Sequence, residues 1–181
     1  RAVLITLCVA AVLACLLFAK WAFGHAVAVS ATEKEVASLG VDLASNDPQA
    51  HYELSQMLEK TFLPGDEQRA YAELESAVAL SPNHYPFWLA FARAREQAGD
   101  QAGAERALRR AVDLAPNYSR VRWALGNALL RQGRQAEAFD EIRSAVAADG
   151  SFAQPAAGAA WQIFEGDVAR IRAEIGDSPR I

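Results

Sequence analysis

The chain has 181 residues, of which 52% are hydrophobic and 22% are charged, and its net charge is −4. This composition is typical of a folded protein with enough apolar residues for a core, and it excludes a wholly disordered chain. The mildly acidic balance, without a block of five or six like charges, disfavours a general nucleic-acid binder. We therefore expect protein partners or a membrane, and no nucleic acid.

The first predicted element is a single transmembrane helix over residues 1–23. Residues 2–19 carry no charge, and a helix of this length covers roughly 27 to 33 Å, the thickness of the hydrocarbon core of a bilayer. The Val, Leu, Ile and Phe side chains in this stretch contribute roughly −3 to −6 kcal/mol to insertion. Lys20 lies at one end, where its amine reaches the headgroups beside the interfacial side chain of Trp21.

A removed signal peptide is the main alternative for this segment. Residues 26–28, Ala-Val-Ala, have the small side chains of a cleavage site, and residues 12–15 faintly resemble a lipoprotein box. Cys15 is followed by three large apolar residues, however, whereas a lipid-modified cysteine normally begins a polar tether. We interpret the helix as a retained signal anchor with a short amino flank, which places the rest of the chain on the non-cytoplasmic, periplasmic side.

A juxtamembrane connector with a short helix is predicted over residues 24–47. Val36, Leu39 and Leu43 recur at spacings of three and four, which is typical of an amphipathic helix. The sequence Ser-Asn-Asp-Pro at residues 45–48 indicates a stop and a turn. This connector sets how far the following repeats stand from the bilayer.

A 34-residue recurrence dominates residues 48–150. Such a period is typical of helix-turn-helix units that bury their apolar faces by stacking on one another. The glycines suit the left-handed residue that ends a helix, and the prolines stop the preceding helix. We predict three repeats, at about 48–82, 83–116 and 117–150, with helices at 49–62, 67–80, 85–98, 101–114, 119–132 and 135–148. The recurring sets are Gly65, Gly99 and Gly133; Ala70, Ala104 and Ala138; Leu74, Leu108 and Ile142; Ala77, Ala111 and Ala145; and Pro82, Pro116 and Gly150.

At these residues the chain resembles the tetratricopeptide repeat family. Residues 121–150 fit best, with the stretch Trp-Ala-Leu-Gly-Asn-Ala-Leu-Leu at 123–130 matching the signature of the first helix. Residues 85–116 also fit, whereas the first unit fits only if about three extra residues around 61–64 lengthen its turn. The resemblance implies an all-α fold, in which a single transmembrane helix precedes an α-solenoid of helix-turn-helix repeats.

Residues 151–181 are less regular and predict a partial fourth repeat or capping helices. Two helices are expected, at 154–165 and 167–175, with Trp161 and Phe164 among the residues of their apolar faces. A cap is needed at the end of a repeat array because a terminal repeat otherwise exposes its stacking face.

No pattern in the sequence is typical of an enzyme. The three histidines, His25, His51 and His84, have no Cys, Asp or Glu at the spacing of a metal site. The sequence also has no phosphate-binding glycine loop and no nucleophile elbow. We therefore predict no catalytic residue, no metal, no cofactor and no small-molecule substrate.

The family resemblance implies a partner-binding groove along the first helix of each repeat. Arg93, Arg120, Asn127 and Arg131 would form a basic wall that suits an extended peptide carrying carboxylates. Tyr52 and Trp123 would be flat anchors. The alternative is that these positions are solvated helix faces and that Trp123 belongs to the core. The groove positions are Tyr52, Gln56, Leu89, Arg93, Arg120, Trp123, Asn127 and Arg131, with Glu59 and Glu96 beside them.

The function that follows is a membrane-anchored adaptor, or an assembly scaffold, that holds protein partners near the membrane. The partner is a peptide segment or a subunit of a membrane complex. Two alternatives stay open at this stage: a non-catalytic subunit of a multi-subunit membrane enzyme or electron-transfer complex, and a chaperone-like peptide-binding module.

Overall fold

A computed structural model describes residues 2–61 and 63–175. These residues form ten α-helices and one short 3-10 helix, with no strand among them, so the predicted all-α class is confirmed. Residue 1 of the predicted membrane helix, residue 62 of the lengthened turn and residues 176–181 of the predicted cap lie outside the described residues. The chain divides into two compact units, residues 1–82 and 83–181.

The described part of unit 1 forms four helices: α1 (Ala2–Ser30), α2 (Lys34–Leu43), α3 (Pro48–Thr61) and α4 (Asp66–Leu80). The apolar helix does not end near residue 23 but continues to Ser30, and its last two turns pack against α2 and α3. Residues 24–30 are thus part of the fold of unit 1 rather than a separate connector.

Helices α1 and α2 form a hairpin in which the two helix backbones are in direct contact. A Cβ atom added at Gly40 would lie 2.8 Å from the Cα atom of Ala28, and one added at Gly24 would lie 2.9 Å from the Cβ atom of Ala44. Glycine is the residue that permits so close an approach between two backbones. Because Gly24 contacts Ala44 while Ala28 contacts Gly40, the two helices run antiparallel.

The buried face of α2 differs from the predicted one. Val36 and Leu39 are 40% and 51% exposed, whereas Ala37 and Gly40 are buried. The expectation of an apolar face at Val36 and Leu39 is therefore wrong, because the close approach of α1 accepts only small residues on the contact face of α2. Ala37 packs instead into a core cluster with Leu54, Leu58 and Ala70.

Residues 83–175 of unit 2 form six α-helices and the short 3-10 helix Gly150–Phe152. The helices are α5 (Tyr85–Gln97), α6 (Gln101–Leu114), α7 (Ser119–Arg131), α8 (Gln135–Ala148), α9 (Ala153–Ile163) and α10 (Val168–Ile175). The bounds of α3 to α8 differ from the predicted bounds by no more than one residue at either end. Gly65, Gly99 and Gly133 have φ angles of 89°, 78° and 76°, which is the left-handed conformation expected from their spacing.

The carboxyl-terminal helices pack onto the last predicted repeat. Phe139 and Ile142 of α8 share a core cluster with Ala156 and Ala160 of α9 and with Phe164, the residue that follows α9. The guanidinium group of Arg170 on α10 lies 5.0 Å from the centroid of the Phe164 ring. The side chains of α9 and α10 thereby cover apolar surface that α8 would otherwise expose.

Candidate partner-binding surface

Six of the eight predicted groove residues lie on two helices of unit 2. Leu89 and Arg93 are four residues apart on α5, so they lie on one face of that helix. Arg120, Trp123, Asn127 and Arg131 follow one another at spacings of three and four on α7. The three arginines are exposed, and Leu89, Trp123 and Asn127 are half-buried. We call these six residues the unit 2 groove residues.

An ion pair joins the two helices of this surface. Arg131 on α7 donates a hydrogen bond to the carboxylate of Glu96 on α5. The side chain of Arg131 is 55% exposed, and a guanidinium group has five N–H donors in total. The pairing with Glu96 therefore positions Arg131 without using all of its hydrogen-bonding capacity.

The side chain of Trp123 belongs partly to the core. Its ring centroid lies 5.3 Å from that of Phe152, and it packs against the cluster that contains Phe139 and Phe164. The side-chain amide of Asn127 donates a hydrogen bond of 2.7 Å to the backbone carbonyl of Trp123. Only the part of Trp123 outside this packing is available to a partner.

Tyr52 and Gln56, the two predicted groove residues of the first repeat, lie on α3 in unit 1, and both are half-buried. The backbone carbonyl of Tyr52 accepts a hydrogen bond of 2.6 Å from the hydroxyl of Ser55. The two residues are four apart, so they share one face of α3. That Tyr52 and Gln56 line a partner-binding groove stays a prediction.

A series of aromatic residues that the sequence analysis did not single out marks the start of the first helix in each repeat of unit 2. His84, Tyr118 and Phe152 are 34 residues apart. Tyr118 packs on Tyr85, with 5.1 Å between the ring centroids, and Phe152 packs on Trp123. Burial, and then a hydrogen bond with Tyr118, raise the pKa of the Tyr85 hydroxyl. The 34-residue period itself was the signal that could have found this series.

Trp161 on α9 is a second residue that the sequence analysis placed differently. It was expected on an apolar packing face, but its side chain is 59% exposed, whereas Phe164 is buried as expected. Trp161 follows Asn127 by 34 residues and Arg93 by 68 residues. It therefore occupies, on α9, the register position that these two groove residues occupy on α7 and α5.

A polar cluster in unit 1 connects α1, α3 and α4. Nδ1 of His25 lies 2.6 Å from Oδ2 of Asp47, whose side chain is almost completely buried. The other carboxylate oxygen of Asp47 accepts a hydrogen bond of 3.1 Å from the backbone N–H of Gln49 at the start of α3. His25 thus supplies a partner for a buried carboxylate, which would otherwise be costly to bury.

His51 belongs to the same cluster. Its Nδ1 lies 2.5 Å from Oε2 of Glu73 on α4, and its Nε2 lies 3.0 Å from the backbone carbonyl oxygen of Ser45. Both partners are acceptors, so the two hydrogen bonds exist together only when both ring nitrogens carry a proton. The hydrogen bond to Glu73 raises the pKa of His51, and this effect outweighs the opposing effect of burial.

Comparison with known proteins identifies the repeats. Residues 89–151 match the tetratricopeptide repeat family model. Residues 89–151 carry tetratricopeptide repeats. The predicted resemblance and the repeat fold are thereby confirmed. No curated protein matches the chain.

Solved structures of several tetratricopeptide repeat proteins are similar in fold. A crystal structure of MamA aligns with a TM-score of 0.56 at 21% identity over 67% of this chain, which spans only 64% of that structure. MamA from Desulfovibrio magneticus RS-1 aligns with a TM-score of 0.64 at 19% identity, over 80% of this chain and 86% of the other. YrrB, a TPR protein with an unusual peptide-binding site, aligns with a TM-score of 0.62 at 17% identity, over 81% and 77%.

Proposed function

We propose that this tetratricopeptide repeat protein is a membrane-anchored, non-catalytic adaptor that holds a protein partner at the surface of the bilayer. The observation that carries the proposal is the division of α1 into two parts. By length and composition α1 can cross a membrane, and the most apolar stretch of the helix is entirely exposed. Its last two turns, in contrast, contain the buried residues Gly24 and Ala28. Lipid would cover the exposed apolar stretch of α1, and packing within unit 1 covers its last two turns.

The packing of residues 24–30 favours a retained anchor over a cleaved signal peptide. Cleavage after Ala28 would remove the residues that contact Gly40 and Ala44 and would expose that face of α2. It would also remove His25 and leave the buried carboxylate of Asp47 without this hydrogen-bond partner. Since a signal peptide is discarded after export, side chains that complete the core of the mature protein are not expected within it.

The charge of the unit 2 groove residues favours a peptide partner with carboxylates. Arg93, Arg120 and Arg131 are exposed on neighbouring groove helices, although the whole chain is acidic. Guanidinium groups form short, charge-assisted and frequently bidentate hydrogen bonds with carboxylates. Anchoring to a membrane raises the effective concentration of a partner in the same membrane, so a modest affinity suffices for stable assembly.

The membrane part of the proposal is tested with the full chain expressed in a cell that has two membranes. The chain should stay with the membrane pellet after alkaline carbonate washing and should keep its amino-terminal helix, as shown by intact mass after detergent extraction. A soluble chain that lacks residues before about 28 would contradict the anchor. Digestion by a protease added outside the inner membrane tests the predicted non-cytoplasmic side.

The adaptor part is tested by charge reversal in the full chain. Arg93→Glu combined with Arg131→Glu should abolish stoichiometric co-purification of a partner after detergent extraction, because the carboxylate-binding charges are inverted. The matched control is Arg106→Glu with Arg143→Glu, which makes the same charge change on α6 and α8. Partner retention by the groove variant equal to that of the control variant would contradict the groove as the binding surface.

A further inference from the structure

The register of the repeats extends the unit 2 groove residues onto α9. Leu89 on α5 and Trp123 on α7 are 34 residues apart, and the next position in that series is Ala157 on α9. In the same way Arg93 and Asn127 lead to Trp161. Residues that share a register position in stacked repeats lie on the same side of the array. Ala157 and Trp161 thus continue the surface that α5 and α7 begin.

The packing of α9 agrees with this register. Ala156 and Ala160 are buried in the cluster with α8, and Trp123 of α7 and Ala157 of α9 are half-buried against that same cluster. The side chains of α7 and α9 therefore meet on a shared core. The exposed stripe of α9 runs through Gln154, Gly158 and Trp161 at spacings of four and three, away from the buried alanines.

The side chain of Trp161 is accessible to a partner, and a neighbouring turn holds its indole ring in place. Its side chain is 59% exposed. A Cβ atom added at Gly166 would lie 3.1 Å from Cζ2 of the indole ring, so the ring edge rests against the α9–α10 turn. Apart from the backbone of α9 and the two adjacent residues, no atom of the described residues lies within 4 Å of a Cβ added at Gly158, one turn before Trp161. A flat apolar ring beside open space is the kind of anchor that dominates peptide recognition.

The charges around Trp161 determine the orientation of an acidic ligand on this surface. Glu165 lies in the α9–α10 turn, four residues after Trp161, and is exposed, so it repels a carboxylate at that end of the surface. Arg120 and Arg131 attract a carboxylate on the neighbouring helix α7. Packed helices lie about 8 to 10 Å apart, and an extended peptide advances about 3.3 Å per residue. About three residues of an extended chain therefore connect the two helices.

From this arrangement we propose that Trp161 is a specificity-determining anchor of the partner-binding surface, and that the preferred ligand is an extended peptide with a bulky apolar side chain about three residues from a carboxylate. The apolar side chain packs on Trp161 while the carboxylate pairs with Arg131. The inference rests on the proposed function, because it names the class of peptide that the same surface takes.

The test measures binding of four labelled peptides to the full chain in detergent micelles by fluorescence anisotropy. Each probe has a Gly-Ser background. Two of the probes contain Phe-Ser-Gly-Glu and the reversed order Glu-Ser-Gly-Phe. The other two are variants of whichever order binds more tightly, one with Phe replaced by Ala and one with Glu replaced by Gln. The Phe peptide should bind at least about tenfold more tightly than its Ala form. Trp161→Ala should abolish that preference, so that the two peptides bind equally.

Two further variants separate the parts of the proposal. Arg131→Gln should remove the preference for Glu over Gln and keep the preference for Phe over Ala. Gln162→Ala, the matched control beside Trp161, should keep both preferences. Because Trp161 is exposed, its replacement should leave the unfolding temperature nearly unchanged, so lost binding is not caused by unfolding.

Two results would overturn the inference. If the Phe preference persists in Trp161→Ala while Arg131→Gln abolishes the Glu preference, the groove stands and Trp161 is not its anchor. If none of the probes binds at millimolar concentration, the proposed ligand class is wrong, and the charge-reversal experiment on the native partner decides the proposed function independently.

Discussion

Gly40 is the residue at which the fold of unit 1 tolerates the least change. Gly40→Ala would place a Cβ atom 2.7 Å from the backbone nitrogen of Ala28, and a backbone atom cannot move aside as a flexible side chain can. Overpacking of this kind costs about 1 to 3 kcal/mol, which exceeds the gain of up to about 1 kcal/mol from better helix propensity. We expect a lower unfolding temperature for the full chain in detergent, followed by far-ultraviolet circular dichroism.

Gly158→Ala is the matched control for this substitution. Gly158 also lies inside a helix, but no other part of the described structure beyond the backbone of α9 and the two adjacent residues is within 4 Å of an added Cβ atom, so only the helix-propensity gain applies. The control should raise the free energy of unfolding by about 0.5 to 1 kcal/mol. If Gly40→Ala stabilised the chain to the same extent, the close packing of α1 on α2 would be disproved, and with it the main argument for a retained anchor.

Single residues also explain why the repeats could be predicted from the sequence, whereas the packing of α2 at the beginning of unit 1 could not. The glycines and prolines of the repeats carry their own conformational preferences, so their positions predicted the helix bounds to within one residue. The contact face of α2 had no such local signal. Val36 and Leu39 had the expected periodicity, but the face that packs was decided by how closely α1 approaches Gly40. That distance is a property of tertiary structure.

At the scale of helices, His51 connects α3 to α4 and to the α2–α3 turn, and this connection depends on pH. The groups that face His51 are Glu73 on α4, with Ser45 and Asp47 from the turn. Because the folded-state pKa of His51 is raised above its ordinary value of about 6.5, folding is favoured by protonation of the ring. The stabilisation is complete below about pH 6.5 and is lost as the pH rises through the raised folded pKa.

The pH dependence is measured as the unfolding temperature of the full chain between about pH 5 and pH 9. The wild-type chain should lose stability towards the alkaline end more steeply than His51→Gln, because glutamine makes polar contacts but binds no proton in this range. The difference between the two curves isolates His51 from His25 and His84. Parallel curves would show that folding leaves the pKa of His51 unchanged, and a wild-type curve that rises relative to His51→Gln towards the alkaline end would show that the ring stays neutral in the folded state.

Helix α9 shows where the sequence pattern of the repeats was lost. The glycine of the α9–α10 turn is Gly166, one residue before the position that the 34-residue period predicts. The last helices also lack the signature residues of a complete repeat, so Trp161 was assigned to a packing face. Its place in the series with Arg93 and Asn127 was visible in the sequence, but its exposure follows from the small buried residues Ala156 and Ala160.

At the scale of the whole molecule, the proposed membrane anchor would fix how unit 1 stands on the bilayer, because α1 continues without a break into unit 1. If the membrane boundary lies at Trp21, the α1–α2 turn at Thr32 is roughly 16 Å above it along the helix axis. Helix α2 then returns antiparallel to α1, because Ala44 contacts Gly24. Ser45 therefore lies only roughly 5 Å above the boundary, although it follows Thr32 in the sequence.

The last prediction concerns the distances of Thr32 and Ser45 from the membrane boundary. Single cysteines at Ser45 and at Thr32, in a Cys8→Ser, Cys15→Ser background, are labelled with a fluorophore in the full chain and reconstituted into vesicles with nitroxide-labelled headgroups. Both positions are exposed. Quenching should be stronger at position 45 than at position 32, because α2 brings the later residue back towards the bilayer. A flexible connector would instead give equal quenching, or stronger quenching at position 32, and either result would contradict a rigid continuation of the membrane helix into unit 1.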